Sequence, residues 1–393
     1  MSGAFYLAWR YLAHHKVKSA ILVLSMTLIF FIPSGLQVLV DQSEAEMRAR
    51  AEATPLLVGA KGSPLELVLN SLYFSEGTPE AIRYGEVARI ADGGLARPIP
   101  LYVRFRAGDA PIVATTIDYF DFRALTVERG RQIARLGECV LGARAAERLG
   151  AGPGESVISS PETVLDLAGT YPLKMHVVGV LARKGTPDDD AVFVDVKTGW
   201  VIQGLGHGHE DLTQPEAAPR LLQRKEDGEV VGNASVVEYN EITPENTDAF
   251  HFHGDLADYP ISAILAIPPD HRSSTLLQGR YLSPDERHQI LDPTTVLDEL
   301  LGTVVRIKSY VVTAFVLVGL ATLATAALVF LLSLRLRCRE IETLRKIGAS
   351  RAHVAAVLTS EIVAVLVLSA VLAGALTALT AFFGAEAVRL FVR

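Results

Sequence analysis

The sequence predicts a membrane protein with three transmembrane α-helices and a large α+β extracytoplasmic domain between the first and second. Three observations carry this. Half of the 393 residues are hydrophobic and the mean hydropathy is +0.30, high for a soluble chain. The apolar excess gathers in three windows nearly free of charge. Basic residues flank those windows asymmetrically.

The windows are residues 19–41, 309–333 and 355–384. Each supplies the ~20 residues that cross ~30 Å of hydrocarbon at ~1.5 Å per residue. Only a helix satisfies its own backbone in that solvent. A cleaved signal peptide is the competing reading of the first window, because Arg10, Lys16 and Lys18 precede it. The run is too long for that and continues through Ile32-Pro33-Ser34-Gly35-Leu36 with no small-x-small cleavage site, so a retained span is expected.

Ahead of it, residues 1–18 interleave Phe5, Trp9 and Tyr11 with Arg10, His14, His15, Lys16 and Lys18. That mixture suits a helix lying in the cytoplasmic membrane interface, in contact with lipid. Arg335, Arg337, Arg339, Arg345, Lys346 and Arg351 crowd the connection 334–354. Both basic segments belong in the cytoplasm by the positive-inside rule, which puts residues 42–308 outside and leaves 385–393 as a short outer tail.

Residues 42–308 open and close on helical stalks. Asp41 to Ala53 is rich in Glu, Arg and Ala, and Asp292-Pro293 has the cap and first-turn proline of a helix start. Val296, Leu300, Val304 and Val305 continue that second stalk as an apolar stripe. Between the stalks, Leu101–Phe105, Ile112–Ile117, His176–Leu181, Ala191–Val196 and Ile261–Ala266 read as strands. Glu138–Gly142 leads into a short helix from Ala143 to Leu149, closed by Gly150. An arrangement in two lobes is expected. Residues 204–254 are polar, rich in Gly, Glu, Pro and His, and read as an insertion or loop region.

Composition excludes several functions. A net charge of −7 argues against nucleic acid as a partner. The only two cysteines, Cys139 and Cys338, fall on opposite sides of the membrane in this topology, so neither a disulfide framework nor a cysteine zinc site is available. No G-x-x-x-x-G-K-[ST] loop occurs, and no nucleophile–base constellation stands out. A non-catalytic membrane subunit is expected, with no cofactor of its own.

Two constellations remain. In the cytoplasmic connection, Ile341, Leu344 and Ile347 lie three apart on one face of a short helix, with Glu342 and Lys346 spaced i,i+4. Gly348 can end that helix and Ser350 can cap the next. A basic helix with a narrow apolar ridge is a docking surface for a cytosolic partner; a tight turn carrying positive-inside charges is the plainer reading. In the outer domain, His207-Gly208-His209-Glu210 and His251-Phe252-His253 bracket the polar insertion, with His176 near in sequence. His207, His209, His251 and His253 are candidate ligands for Zn²⁺, which needs three or four converging groups. A solvated loop whose histidines never meet is the alternative. Asp188-Asp189-Asp190 reads as a solvated turn before it reads as a cation site. Glu361, an ionisable group inside the third span, is an intramembrane functional candidate or a packing and snorkelling group.

The stretch Arg337-Cys338-Arg339-Glu340-Ile341-Glu342-Thr343-Leu344-Arg345-Lys346-Ile347-Gly348-Ala349 resembles the R-x-R-E-I-x-x-L-R-x-I/L-G-A signature of the MacB/FtsX/LolC permeases, the mechanotransmission group of ABC transporters. Leu7–Leu12 is similar to that family's interfacial helix, and Glu361 with Gly374 to its third-span spacing. Glu138–Gly142, Ala146–Gly150 and Val177–Leu181 resemble its extracytoplasmic core domain. The chain departs in carrying Glu342 where the family usually has Gly, and in showing three spans where the family normally has four. The resemblance implies a permease of the bacterial inner membrane, a homodimer or heterodimer, served by a cytosolic ABC ATPase that binds ATP-Mg. Arg339, Glu340, Ile341, Leu344, Arg345 and Lys346 would transmit the ATPase stroke to the outer domain. The cargo would be an envelope substrate, with a periplasmic binding protein or lipoprotein as a further partner. Some permeases of this type are linked to zinc homeostasis, and the His-Gly-His-Glu stretch resembles those. The alternatives are an FtsX-like regulator that relays ATPase motion without transport, and a His-rich membrane-anchored zinc receptor.

Overall fold

The computed structural model describes residues 2–75, 77–160, 172–208, 221–224, 230–232, 239–336, 342–343, 346, 348 and 350–391. The chain divides into two compact units, one of Met1–Met47 with Glu299–Arg393 and the other of Arg48–Asp298.

The first unit is helical. Helix α1 spans Ser2–His14 and α2 spans Lys16–Glu52. The break falls at His15, so Lys16 and Lys18 open the long helix instead of closing the short one. Among the described residues, α2 and the Arg351–Phe383 part of the final helix are long and apolar enough to cross a membrane. The span expected at 309–333 falls inside the helix Pro293–Leu336, where the described apolar stretch is Ser309–Thr325. The final helix runs Arg351–Phe391, so the expected tail is helical as far as Phe391, the last described residue. Ala385, Glu386, Ala387, Val388 and Arg389 contain no glycine or proline that would stop it. Within this unit Ser34 Oγ and Thr377 Oγ1 share a hydrogen bond of 2.8 Å, and Ser369 Oγ donates to the Val23 carbonyl at 3.1 Å. Small hydroxyl residues at such crossings let helices approach closely and hydrogen-bond in an apolar setting.

The second unit is α+β. In chain order its strands are β1 (Leu56–Ala60), β2 (Ile82–Arg83), β3 (Arg97–Ala107), β4 (Ala110–Thr115), β5 (Val127–Gly130), β6 (Glu138–Leu141), β7 (Ser156–Ile158) and β8 (Lys174–Leu181). They continue as β9 (Val192–Asp195), β10 (Gly206–Gly208), β11 (Leu221–Arg224), β12 (Val230–Gly232), β13 (Phe250–Phe252), β14 (Pro260–Ile261), β15 (Ala263–Ile267) and β16 (His288–Leu291). Its helices are α3 (Pro64–Tyr73), α4 (Gly85–Asp92), α5 (Ile117–Phe122), α6 (Ala143–Leu149), α7 (Val196–Ile202) and α8 (His271–Arg280). The remaining helices, α9 (Pro293–Leu336) and α10 (Arg351–Phe391), have been described above.

One continuous sheet runs β16-β1-β15-β3-β4-β9-β6-β8-β5, with β7 added on β8. The two-lobe expectation is therefore corrected. The parallel pair β4–β9 joins what sequence alone separates, with Val113 opposite Phe193 and Ala114 opposite Val194. Strands β3, β4, β6 and β9 are buried almost throughout, which is why they read as apolar runs and not as alternation. Trp200 of α7 is 1% exposed, hydrogen-bonds Pro260 O through Nε1 at 2.8 Å, and meets Tyr84 and Tyr259 edge-on.

Local signals set the helix ends. Ser63 caps α3 by accepting from the Glu66 N–H at 3.2 Å, with Pro64 in the first turn. Gly150, at φ +61°, closes α6 where the sequence expects it. Helix α9 begins at Pro293, and Asp292 Oδ1 accepts from the Thr294 N–H at 2.9 Å.

Candidate functional site

The segment expected as a polar loop at 204–254 is a strand at each of its described ends. Strand β10 pairs antiparallel with β13 in the register Gly206–Phe252, His207–His251, Gly208–Phe250. Successive side chains point to opposite faces of a strand. A Cβ on Gly206 would meet the Phe252 ring at 2.4 Å, and one on Gly208 the Phe250 ring at 2.6 Å. The glycines thus leave room for the two rings to lie across β10, and Phe252 packs on toward Trp200 and Tyr259. The alternate positions are His207 on β10, His251 on β13 and His253, the residue directly after β13.

The result is a cluster. His207, His251 and His253 each offer a ring nitrogen, all within 4.8 Å of one another. Nε2 of His253 lies 3.5 Å from Nε2 of His207. Nδ1 of His251 sits 3.0 Å from the Ala249 carbonyl, which can only accept, so the neutral ring carries its proton there and presents a lone pair at Nε2. Tyr259, 7% exposed, pins the ends of both strands. Its hydroxyl accepts from the His253 N–H at 3.0 Å and faces the carbonyls of His253 and Leu205 at 2.9 and 3.2 Å. Of the four expected ligands, three meet and His209 lies outside the described residues. His176 does not join them; it faces Glu241, with Nε2 and Oε1 3.1 Å apart.

Asp188-Asp189-Asp190 is not a solvated turn. Asp188 and Asp189 are each 2% exposed in a 3₁₀ turn. Two arginines explain how carboxylates can be buried here. Arg50 pairs with Asp188 at 2.6 Å, while Arg144 pairs with Asp189 at 3.1 Å and Asp190 at 2.6 Å. Lys184 and Gly185 add backbone N–H donors to Asp189. Nothing in the sequence singles Arg50 out from Arg48, the other arginine of its segment.

In the basic connection at 334–354, Glu342 and Lys346 form the i,i+4 pair at 3.1 Å, both well exposed. Gly348 has φ +98°, and Ser350 caps α10, its Oγ accepting from the His353 N–H at 3.2 Å. Arg339, Glu340, Ile341, Leu344 and Arg345 lie outside the described residues. Glu361 is 3% exposed on α10 and lines a cavity of about 460 Å³ with Tyr11, His15, Lys18 and Ser19.

Residues 19–214 match the model of the MacB-like periplasmic core domain family. A search of curated proteins finds no match to the chain. Among solved structures, the periplasmic region of MacB from Actinobacillus actinomycetemcomitans aligns at 11% identity and TM-score 0.34, covering 63% of this chain and 94% of that one. The extracellular domain of the noncanonic ABC-type transporter YknZ from Gram-positive bacteria aligns at 12% identity and TM-score 0.32, covering 60% and 98%. The family match begins within the apolar part of α2 and continues through β10. With that core domain, and with apolar helices at both ends of the sequence, the chain belongs to the MacB/FtsX-type ABC transporter permeases.

Proposed function

We propose that this chain is the membrane subunit of an ABC transporter that works by mechanotransmission, moving its periplasmic domain to act on an envelope substrate. The observation that carries the reading is the course of α2. This single helix contains an apolar segment long enough to cross a membrane and extends to Glu52. Its last turn holds Arg50, buried against Asp188 in the α+β unit. Two residues earlier, Arg48 pairs at 2.9 Å with Asp298 of α9. A displacement along either helix would therefore reach the domain through ion pairs at its root. Rigid-body movement of a domain is one of the standard ways in which a local event becomes a large one.

In this reading, three spans cross the inner membrane with residues 335–351 in the cytoplasm. A separate ABC ATPase binds ATP-Mg and docks on that loop, with Arg339, Glu340, Ile341, Leu344, Arg345 and Lys346 taking the stroke. Two permease chains would serve the ATPase pair. The exposed Glu342–Lys346 pair supports an open docking face.

Co-purification from the native membrane tests this. An ABC ATPase should travel with the wild-type chain and be lost with Arg345→Glu. Recovery of the chain without any ATPase, or undiminished recovery with the variant, would sink the reading.

A further inference from the structure

We propose that His207, His251 and His253 form a mononuclear site for a divalent first-row cation of the Zn²⁺ type on the β10–β13 ribbon. The proposal rests on the cluster's geometry and stands apart from the transport reading.

The first argument is a distance. Two imidazole nitrogens bound to one tetrahedral ion at ~2.05 Å sit ~3.3 Å apart. Nε2 of His253 and Nε2 of His207 are 3.5 Å apart, long for a hydrogen bond and close to that tetrahedral edge. The third ring also lies within reach, since all three ligand atoms fall within 4.8 Å of one another. Closing the remaining gap takes rotation of exposed or half-buried rings, not movement of strands.

The second argument is the tautomer. A metal-bound histidine ordinarily donates its other ring N–H to a carbonyl or carboxylate, which fixes the ring and aims its lone pair. His251 has that partner in Ala249 O, at 3.0 Å.

The third argument is preorganisation. Ligands held on paired strands are positioned better than ligands on loops. Here the pairing is set by Phe250 and Phe252 lying over Gly208 and Gly206, and the strand ends by Tyr259. The interleaving of Gly-His-Gly with Phe-His-Phe therefore puts every aromatic on the core side and gathers the imidazoles on the other.

The donor set selects the ion. Three neutral nitrogens suit Zn²⁺, Co²⁺, Ni²⁺ or Cu²⁺ and disfavour the oxygen-seeking Mg²⁺ and Ca²⁺. Three protein ligands with an exposed His253 leave a further coordination position for water or for a donor from another molecule, unlike a closed four-ligand structural site. Such a site can load and release its ion.

The test uses the full chain in detergent micelles, without ATPase, and Zn²⁺ alone as the probe, titrated against a chromophoric chelator. One Zn²⁺ should bind per chain. Co²⁺ in its place should give the intense visible d–d bands of a tetrahedral nitrogen site. His253→Gln and His251→Gln should each weaken Zn²⁺ by on the order of a hundredfold and remove the Co²⁺ bands. His176→Gln should leave both unchanged, and His209 is retained throughout. His253 is exposed, so its replacement does not threaten folding. Absence of binding to the wild-type chain overturns the proposal, as does undiminished binding to the His207, His251 and His253 triple variant.

Discussion

Arg50 and Asp188 meet as a two-pronged ion pair inside the α+β unit, with Nη1 2.6 Å from Oδ2 and Nη2 2.9 Å from Oδ1. Their side chains are 6% and 2% exposed. Tyr119 completes the group, accepting from Arg50 Nη2 at 2.9 Å and donating to Asp188 Oδ1 at 2.7 Å. Arg50 Nε also donates to the Leu72 carbonyl. The last turn of α2 is thus tied at once to α3, α5 and the turn before β9.

Removing one partner of a buried pair leaves the other charge uncompensated, at a cost of about 3–5 kcal/mol. Arg50→Met should therefore destabilise the chain by that order in equilibrium denaturation. The double variant Arg50→Met, Asp188→Leu, which buries no charge, should regain most of the loss. If the pair also transmits movement, the double variant will be stable yet fail to raise ATPase turnover in the assembled complex. A single variant as stable as wild type would remove the pair from the account.

The same group predicts how stability follows pH. Burial alone would raise the Asp188 carboxyl, but Arg50, with hydrogen bonds from Arg50 and Tyr119, outweighs it and holds the carboxyl below its usual range. Its contribution is present above the ordinary aspartate value of ~3.9 and is lost as pH falls through the lowered one. Tyr119 moves the other way: burial pushes its phenol up to about 12. That contribution is complete below the ordinary tyrosine value of ~10 and is lost as pH rises through about 12. Unfolding measured across pH should show both slopes, and the Arg50→Met, Asp188→Leu variant should lose the acid one. In an ultraviolet phenolate titration, Tyr119→Phe should remove one of the late-titrating phenols, among which Tyr73 and Tyr281 are also raised to about 12 and Tyr84 is raised by burial.

Cys139 offers an independent probe of the sheet. It lies on β6, 0% exposed, and burial, with a smaller contribution from Glu138, raises its thiol far above the ordinary range. The thiolate is the reactive form, so the folded chain should resist maleimide at Cys139. With Cys338→Ser in place, labelling at neutral pH should be negligible until denaturant opens the sheet. Fast labelling of the folded chain would contradict the interior position of β6, between β9 and β8.

Much of this was legible in the sequence because the signals are local. Gly150 and Asp292-Pro293 mark helix ends by backbone chemistry that depends on few neighbours. Strands β3, β4, β8 and β9 announce themselves as β-branched and aromatic runs. The single sheet was not legible, because the β4–β9 pairing joins Ile112 to Val192 across a long stretch of chain and has no local sign. The acidic triplet misled for a related reason: Asp188 is buried by an arginine 138 positions away. The histidine ribbon fell between these cases. The His-x-His spacing suggested ligands, but the Gly-to-Phe fit that brings the two pairs together is a cross-strand contact, visible only once β10 and β13 are paired.

Two glycine replacements should rank the rigidity of the acidic turn and the histidine ribbon. Gly142 precedes α6 at φ −62°, an ordinary conformation, so alanine there meets no backbone strain. Space is the obstacle. A Cβ would lie 2.2 Å from the Asp188 carbonyl oxygen and 2.5 Å from that of Asp189. Those atoms are backbone, and Arg50 and Arg144 hold the turn that carries them. They cannot yield without breaking buried ion pairs, so Gly142→Ala should cost about 3 kcal/mol or more. At Gly206 the obstructing atoms belong to the Phe252 ring, a side chain that can swing at the expense of its packing on Trp200 and Tyr259. Gly206→Ala should cost only about 1 kcal/mol. Equilibrium denaturation followed by the fluorescence of buried Trp200, with Trp9→Phe to silence the second indole, reads both. The order matters more than either value. Gly206→Ala as costly as Gly142→Ala would mean that Phe252 is clamped as firmly as the acidic turn, and that the histidine ribbon is a rigid part of the core.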